Sequence, residues 1–124
     1  MELADYFENI KGTGILATSD GKGNVDSAIY ARPFVLDKYT IAFSMLERLT
    51  YANILENPKA CYTFIEKGEG HQGKRLYLVM EKEETDAEQI KMLRKKHNLV
   101  ETKSNVKRHI IYFKIKSIRP LIGD

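Results

Sequence analysis

Apolar positions along the chain recur at two spacings, and the switch between them divides it into elements. Leu3, Ala4, Phe7 and Ile10 recur at helical spacing, with Glu2, Asp5 and Glu8 on the other face. This predicts a first helix ended by Lys11-Gly12, with Gly12 as a left-handed cap. Residues 14–19 then read as a buried strand, and Asp20-Gly21-Lys22-Gly23-Asn24 as a turn that folds it back into a hairpin. The return strand over 25–35 carries Val25, Ser27, Ile29 and Ala31 on one face and Asp26, Ala28, Tyr30 and Arg32 on the other. Pro33 lacks an N–H for strand pairing and sets a bend or edge late in that run.

Asp37-Lys38 makes the next turn, and residues 39–44 a third strand. A helix follows, with Leu46, Leu49, Ala52 and Leu55 or Ile54 available to face a core, and it ends near Asn57-Pro58. Residues 59–66 form a fourth strand, the polar, glycine-rich 67–74 a loop, and 75–81 a fifth strand. Thr85 and Glu88 have the separation of a capping box, opening a helix with acids early and Lys91, Arg94, Lys95 and Lys96 late. A sixth strand covers 108–116 and alternates near its end. Six strands joined mostly by tight turns are antiparallel, and three helices are too few for a doubly wound sheet. The expected fold is mainly β (α+β): one domain over 1–124, a six-stranded antiparallel barrel with covering helices.

Composition narrows the function classes. With 43% hydrophobic and 30% charged residues, the chain has the content of a soluble globular domain. No apolar run approaches the ~20 residues that span a bilayer, and the start MELADYFENIK lacks the basic and apolar regions of a signal peptide. With the lone Cys61, this points to a cytoplasmic protein. The net charge of +3 is spread among acids, not gathered in a stripe, and aromatic residues are not interleaved with the basic 91–108 region. A nucleic-acid partner and a membrane are therefore not expected.

The stretch 43–58, FSMLERLTYANILENP, leaves a strand, turns a polar corner at Glu47, Arg48 and Thr50, and enters a helix. A helix mouth offers unpaired N–H groups and the positive end of a dipole, and Arg48 adds a charge-assisted fork, which suits a phosphate. Arg48 as a solvated side chain and Thr50 as an ordinary first-turn hydroxyl are the alternatives. No glycine-rich phosphate loop, nucleophile elbow or His-Glu-x-x-His is present. Cys61, His71, His97 and His109 have no metal-ligand spacing, so no metal site is expected.

The order of elements, the Gly14-Ile15-Leu16-Ala17-Thr18 strand, the Asp20–Asn24 turn and the stretch Thr50-Tyr51-Ala52-Asn53-Ile54-Leu55-Glu56-Asn57-Pro58 resemble the pyridoxamine 5'-phosphate oxidase-like family of FMN-binding split barrels. The resemblance covers nearly the whole chain. It implies a homodimer with FMN at the subunit interface and an oxidoreductase acting on an unidentified small molecule. It implies that Asp26, Ser27, Ala28 and Tyr30, with Phe43, Ser44 and Met45, line the isoalloxazine, and that Arg48 and Thr50 hold the phosphate. Family members commonly carry Lys where this chain has Thr50, which shifts the weight onto Arg48. The C-terminal Arg and His that grip pyridoxal phosphates have no counterpart here, so that substrate is not carried over. Tyr30 and Arg32 are candidates for substrate contact. No residue stands out as a catalytic acid or base. The alternative reading is a non-enzymatic module holding haem or a deazaflavin, or serving as a redox carrier.

Overall fold

The computed structural model describes residues 2–84 and 108–123. The Thr85–Glu88 capping box, its helix, His97 and most of the basic 91–108 region lie outside them. The described elements run α1 (Leu3–Asn9), β1 (Gly12–Ser19), β2 (Val25–Ile29), β3 (Phe34–Val35), β4 (Thr40–Leu46), α2 (Leu49–Glu56), β5 (Lys59–Glu66), β6 (Gly73–Glu84) and β7 (Arg108–Pro120).

The described strands form one antiparallel sheet of seven, ordered β2-β1-β5-β6-β7-β4-β3, rather than a barrel of six. The extra strand arises where a single return strand was expected over 25–35. Pairing with β1 stops at Ile29, the chain turns through the Pro33 region, and Phe34 and Val35 pair instead with Ala42 and Ile41 of β4. Proline cannot extend a ladder, which is why one run becomes two strands at opposite ends of the sheet. β2 and β3 are thus the two edges, and the sheet is curled but not closed by strand pairing.

Alternation builds the main core. Leu16, Ile41, Phe43, Met45, Tyr62, Phe64, Leu76, Leu78, Phe113 and Ile115 face inward from β1 and β4–β7. Phe43 meets Tyr62 at 4.9 Å between ring centroids and Phe113 at 5.9 Å, while Phe64 meets Phe7 of α1 at 5.3 Å. Helix α1 buries Tyr6 and Phe7, with Leu3 and Ile10 packed beside them and Ala4 exposed. It ends at Asn9, short of the expected Lys11-Gly12, with Ile10 donating its N–H to the Tyr6 carbonyl at 2.9 Å. Gly12 is therefore no helix cap but the first residue of β1, where the Ile65 carbonyl leaves no room for a side chain.

A smaller cluster, Phe34, Ala42, Ile110 and Tyr112, lies on the opposite face of β4 and β7. Residues Ile110 to Phe113 are consequently buried on both sides, so they read as a continuous apolar run. The hairpin turn after β1 is held by the Asp20 carboxylate, which accepts from the Lys22 N–H at 2.8 Å and from the Asn24 N–H at 2.9 Å. The Asn24 side chain donates to the same carboxylate, and these bonds hold Asp20 below the usual carboxylate range. Gly23 takes the positive φ of 87° that the turn requires.

The hydroxyl of Tyr62 reaches the carbonyls of Tyr30 and Ala31, each at 3.2 Å, and so fixes the chain leaving β2. Gly14 sits under that hydroxyl, and a Cβ there would overlap the Tyr62 ring and the Tyr30 carbonyl. Gly14→Ala should therefore lower stability by about 1–3 kcal/mol, the usual cost of overpacking a tight interior. Urea denaturation of the two chains measures it, and an unchanged midpoint would show that the strand can shift to make room.

Candidate functional site

β4 ends at Leu46 and α2 begins at Leu49, so Glu47 and Arg48 form the corner between them. The Arg48 N–H bonds the Leu46 carbonyl at 2.8 Å, and the Arg48 carbonyl accepts the Ala52 N–H at 3.0 Å, making Arg48 the N-cap. Its side chain makes no capping hydrogen bond and is exposed. A helix start capped this way leaves first-turn N–H groups open to an anion.

Helix α2 does not present the face expected of it. Leu49 and Leu55 are each 58% exposed, whereas Thr50, Asn53 and Ile54 are buried. Polar pairing explains the rotation: Asn53 Nδ2 donates to Thr18 Oγ1 of β1 at 3.1 Å, and both groups are buried. The Gly21 N–H donates to Glu56 Oε1 at 3.2 Å, tying the far end of the helix to the β1–β2 turn. Held there, the Thr50 hydroxyl lies beside the phenol of Tyr30, whose pKa burial pushes above its ordinary value and Thr50 draws back down. Asp26 and Arg48 both bear on that phenol by charge, Asp26 raising its pKa and Arg48 lowering it. The fold thus brings Asp26 and Tyr30 of the β2 segment together with Arg48 and Thr50 at the mouth of α2.

The other expected residues are placed differently. Phe43 and Met45 point into the main core, so only their backbone is available to a ligand. Ser44 alternates to the opposite face, and its buried Oγ has no hydrogen-bond partner. Among the described residues, however, β4 has no strand pairing on the β3 side beyond Ala42, so the backbone along Phe43 to Leu46 has a ladder on the β7 side alone. Tyr30 packs against the main core beside that stretch, its ring 6.0 Å from the Phe43 ring in an edge-to-face contact. Asp26 and Ala28 of β2 are half-buried, while Ser27 is exposed with Val25 and Ile29 on the other side of the strand. Arg32 is engaged structurally: its Nη1 donates to the Phe7 carbonyl near the end of α1 at 2.7 Å.

Pairing of β4 with β7 adds residues that sequence spacing did not single out. Met45 lies opposite His109, which is 2% exposed. Nε2 of His109 is 2.8 Å from Glu47 Oε1, and Nδ1 is 3.4 Å from Glu83 Oε1 of β6. The Tyr51 ring of α2 stacks on the imidazole at 4.1 Å, inclined by 18°. Burial and a hydrogen bond to Glu83 push the Tyr51 phenol up to about 12, with the charges of Glu83 and Glu47 adding to the rise. A histidine at the start of an apolar strand was the only sign of this cluster in the sequence. Among the described residues no group of three His, Cys, Asp or Glu side chains is arranged to hold a metal ion, and no helix is long and apolar enough to cross a membrane.

Comparison with known proteins defines the fold. An FMN-binding protein from Syntrophomonas wolfei superposes with a TM-score of 0.82 at 19% identity, over 99% of this chain and 86% of its own. A putative pyridoxamine 5'-phosphate oxidase from Lactobacillus delbrueckii gives 0.70 at 19% identity, over 95% of this chain and 90% of its own. An F420 reductase gives 0.71 at 17% identity, over 96% and 98%. No family model and no curated protein matches the sequence. The chain has the pyridoxamine 5'-phosphate oxidase-like split-barrel fold.

Raising the Tyr51 pKa has a consequence for stability. Below the ordinary tyrosine pKa of 10.0 the phenol is protonated whether the chain is folded or not. Above it the unfolded chain ionises first, so the contribution of Tyr51 falls between pH 10 and about 12. Tyr51→Phe should therefore flatten the alkaline side of the stability–pH curve without altering its slope below pH 9, measured by urea denaturation across that range. An alkaline limb identical to that of the original chain would show that neither burial nor the Glu83 carboxylate raises the Tyr51 pKa.

Proposed function

We propose that this chain is an FMN-binding protein that works as a homodimer, and that it is an oxidoreductase toward a small molecule. The observation that carries this reading is the β4–α2 corner. An exposed arginine caps a helix start that lacks a side-chain cap, beside the Thr50–Tyr30 pair, in a fold shared with an FMN-binding protein. A phosphate dianion needs several donors at once, and this corner offers a guanidinium, helix N–H groups and, in Thr50, a hydroxyl. Thr50 is buried and already engaged with Tyr30, so Arg48 and the backbone carry most of the charge compensation.

The open edge of β4 and the half-buried side of β2 supply the second part of the site. Backbone groups of Phe43, Ser44 and Met45, with Asp26, Ala28 and the Ser27 backbone of β2, are suited to the hydrogen-bonding rim of an isoalloxazine, and Tyr30 to its face. The flavin would carry the redox chemistry, with the protein binding it, orienting it and excluding water. A deazaflavin is the second reading, favoured by the fold shared with an F420 reductase. A yellow preparation that releases FMN on heating supports the first reading; a protein that binds a deazaflavin and rejects added FMN replaces it with the second.

Arg48→Ala combined with Thr50→Ala should weaken FMN binding at least tenfold, consistent with losing charge-assisted hydrogen bonds of about 1.5–3 kcal/mol. A fluorescence titration measures this, and unchanged affinity would place the phosphate elsewhere. The dimer reading rests on β2. This edge strand exposes Val25 at 84% and Ile29 at 78%, apolar surface that a second copy would cover. Ile29→Asp should shift sedimentation from dimer to monomer and lower FMN affinity with it. A monomeric original chain that binds FMN normally would refute the interface site.

A further inference from the structure

We infer that His109 is the positioning residue of this anion corner: it fixes the backbone on both sides of Arg48 and holds the Glu47 carboxylate away from the bound phosphate. The inference rests on the corner being the FMN phosphate site and identifies what keeps it competent.

Three observations carry it. The first is where the imidazole's contacts fall. Arg48 lies between Glu47 and Tyr51, and His109 engages both, through Nε2 to Glu47 Oε1 at 2.8 Å and through the ring stack on Tyr51 at 4.1 Å. One buried side chain on β7 thus anchors the last residue of the corner before Arg48 and the first turn of α2 after it. The guanidinium itself is exposed and makes no capping bond, so its placement depends on the backbone that carries it.

The second observation is electrostatic. Glu47 is adjacent in sequence to the arginine that would bind a dianion, and its side chain is 55% exposed. A carboxylate turned toward Arg48 would pair with it or repel the phosphate, because charges within a few ångströms interact by kcal/mol even near a surface. Donation from His109 directs Glu47 toward β7 instead. The third is burial. His109 stands in a strand otherwise filled by Ile110, Ile111, Tyr112 and Phe113, where a polar ring costs free energy unless its partners are supplied.

The Glu83 side adds a constraint. His109 Nδ1 and Glu83 Oε1 are both buried, face each other at 3.4 Å, and have no hydrogen bond. A neutral ring can donate to only one of the two carboxylates, whereas an imidazolium donates to both. The Glu83 carboxylate also bears on the Tyr51 phenol, so β6, β7, the corner and α2 meet in one polar cluster. Glu47, Tyr51 and Glu83 are the groups that face the imidazole from these elements, with Arg108 beside it on its own strand.

The test compares FMN with riboflavin, which has the same ring system but no phosphate. Full-length His109→Leu should bind FMN at least tenfold more weakly than the original chain, with riboflavin affinity within twofold. His109→Gln, whose amide can still donate to Glu47, should recover FMN affinity to within about threefold. If His109→Leu does not fold, Tyr51→Ala removes the anchor from the half-buried helix side and should give the same selective loss. Equal weakening of both flavins, or of neither, would overturn the role of His109 while leaving the phosphate site in place. An original chain that binds FMN no more tightly than riboflavin would overturn the site itself.

Discussion

The pairing of β7 between β6 and β4 is the constraint on which the corner depends. Ile110 to Phe113 bury side chains on both faces of the sheet, into the main core and into the Phe34–Ala42–Ile110–Tyr112 cluster. Full burial of such side chains contributes on the order of 1.5–3 kcal/mol each. A slip of one residue would exchange the two faces and place His109 on the wrong side of β4. The register that satisfies this burial puts Met45 opposite His109 and Leu46 opposite Arg108, at the point where β4 gives way to α2. Apolar packing therefore determines where a polar cluster forms.

A second set of polar contacts then orients α2. Asn53 reaching Thr18, Glu56 reaching the Gly21 N–H and Thr50 reaching Tyr30 turn the helix so that Leu49 and Leu55 face outward. Apolar burial alone would favour the opposite rotation. The buried Asn53 side chain would leave donors unsatisfied in any other setting, and such a loss costs about 1–3 kcal/mol. This rotation brings Thr50 and the helix mouth toward Tyr30 and β2, across the open edge of β4.

The gap between β2 and β4 gives the fold its chemical opportunity. A closed barrel would satisfy the backbone of Phe43 to Leu46 by strand pairing. Here the strand that could have continued the pairing is broken near Pro33, and Tyr62 pins the departing chain by its hydroxyl. Among the described residues, the backbone groups left without a ladder on that side of β4 lead directly to the exposed Arg48 at the corner. This arrangement is the basis of the proposed flavin site.

Much of this was legible in local patterns. Alternation and turn chemistry located the strand segments of the described chain, and the Asp20–Asn24 hairpin forms as its residues predict because its hydrogen bonds are local. The corner at Arg48 was visible as a strand running into a helix with a cation at the join, and Asp26 and Tyr30 were readable as sharing one face of a strand. The strand count, the end of α1 and the buried face of α2 were not legible. Each depends on a partner distant in sequence: Ala42 for Phe34, Ile65 for Gly12, Thr18 for Asn53. His109 shows the division most clearly. The sequence alone determined that a histidine would begin an apolar strand. Only the tertiary structure, by pairing that strand with β4 in a single register, brought it between Glu47, Glu83 and Tyr51, because long-range pairing is set by total burial across the sheet.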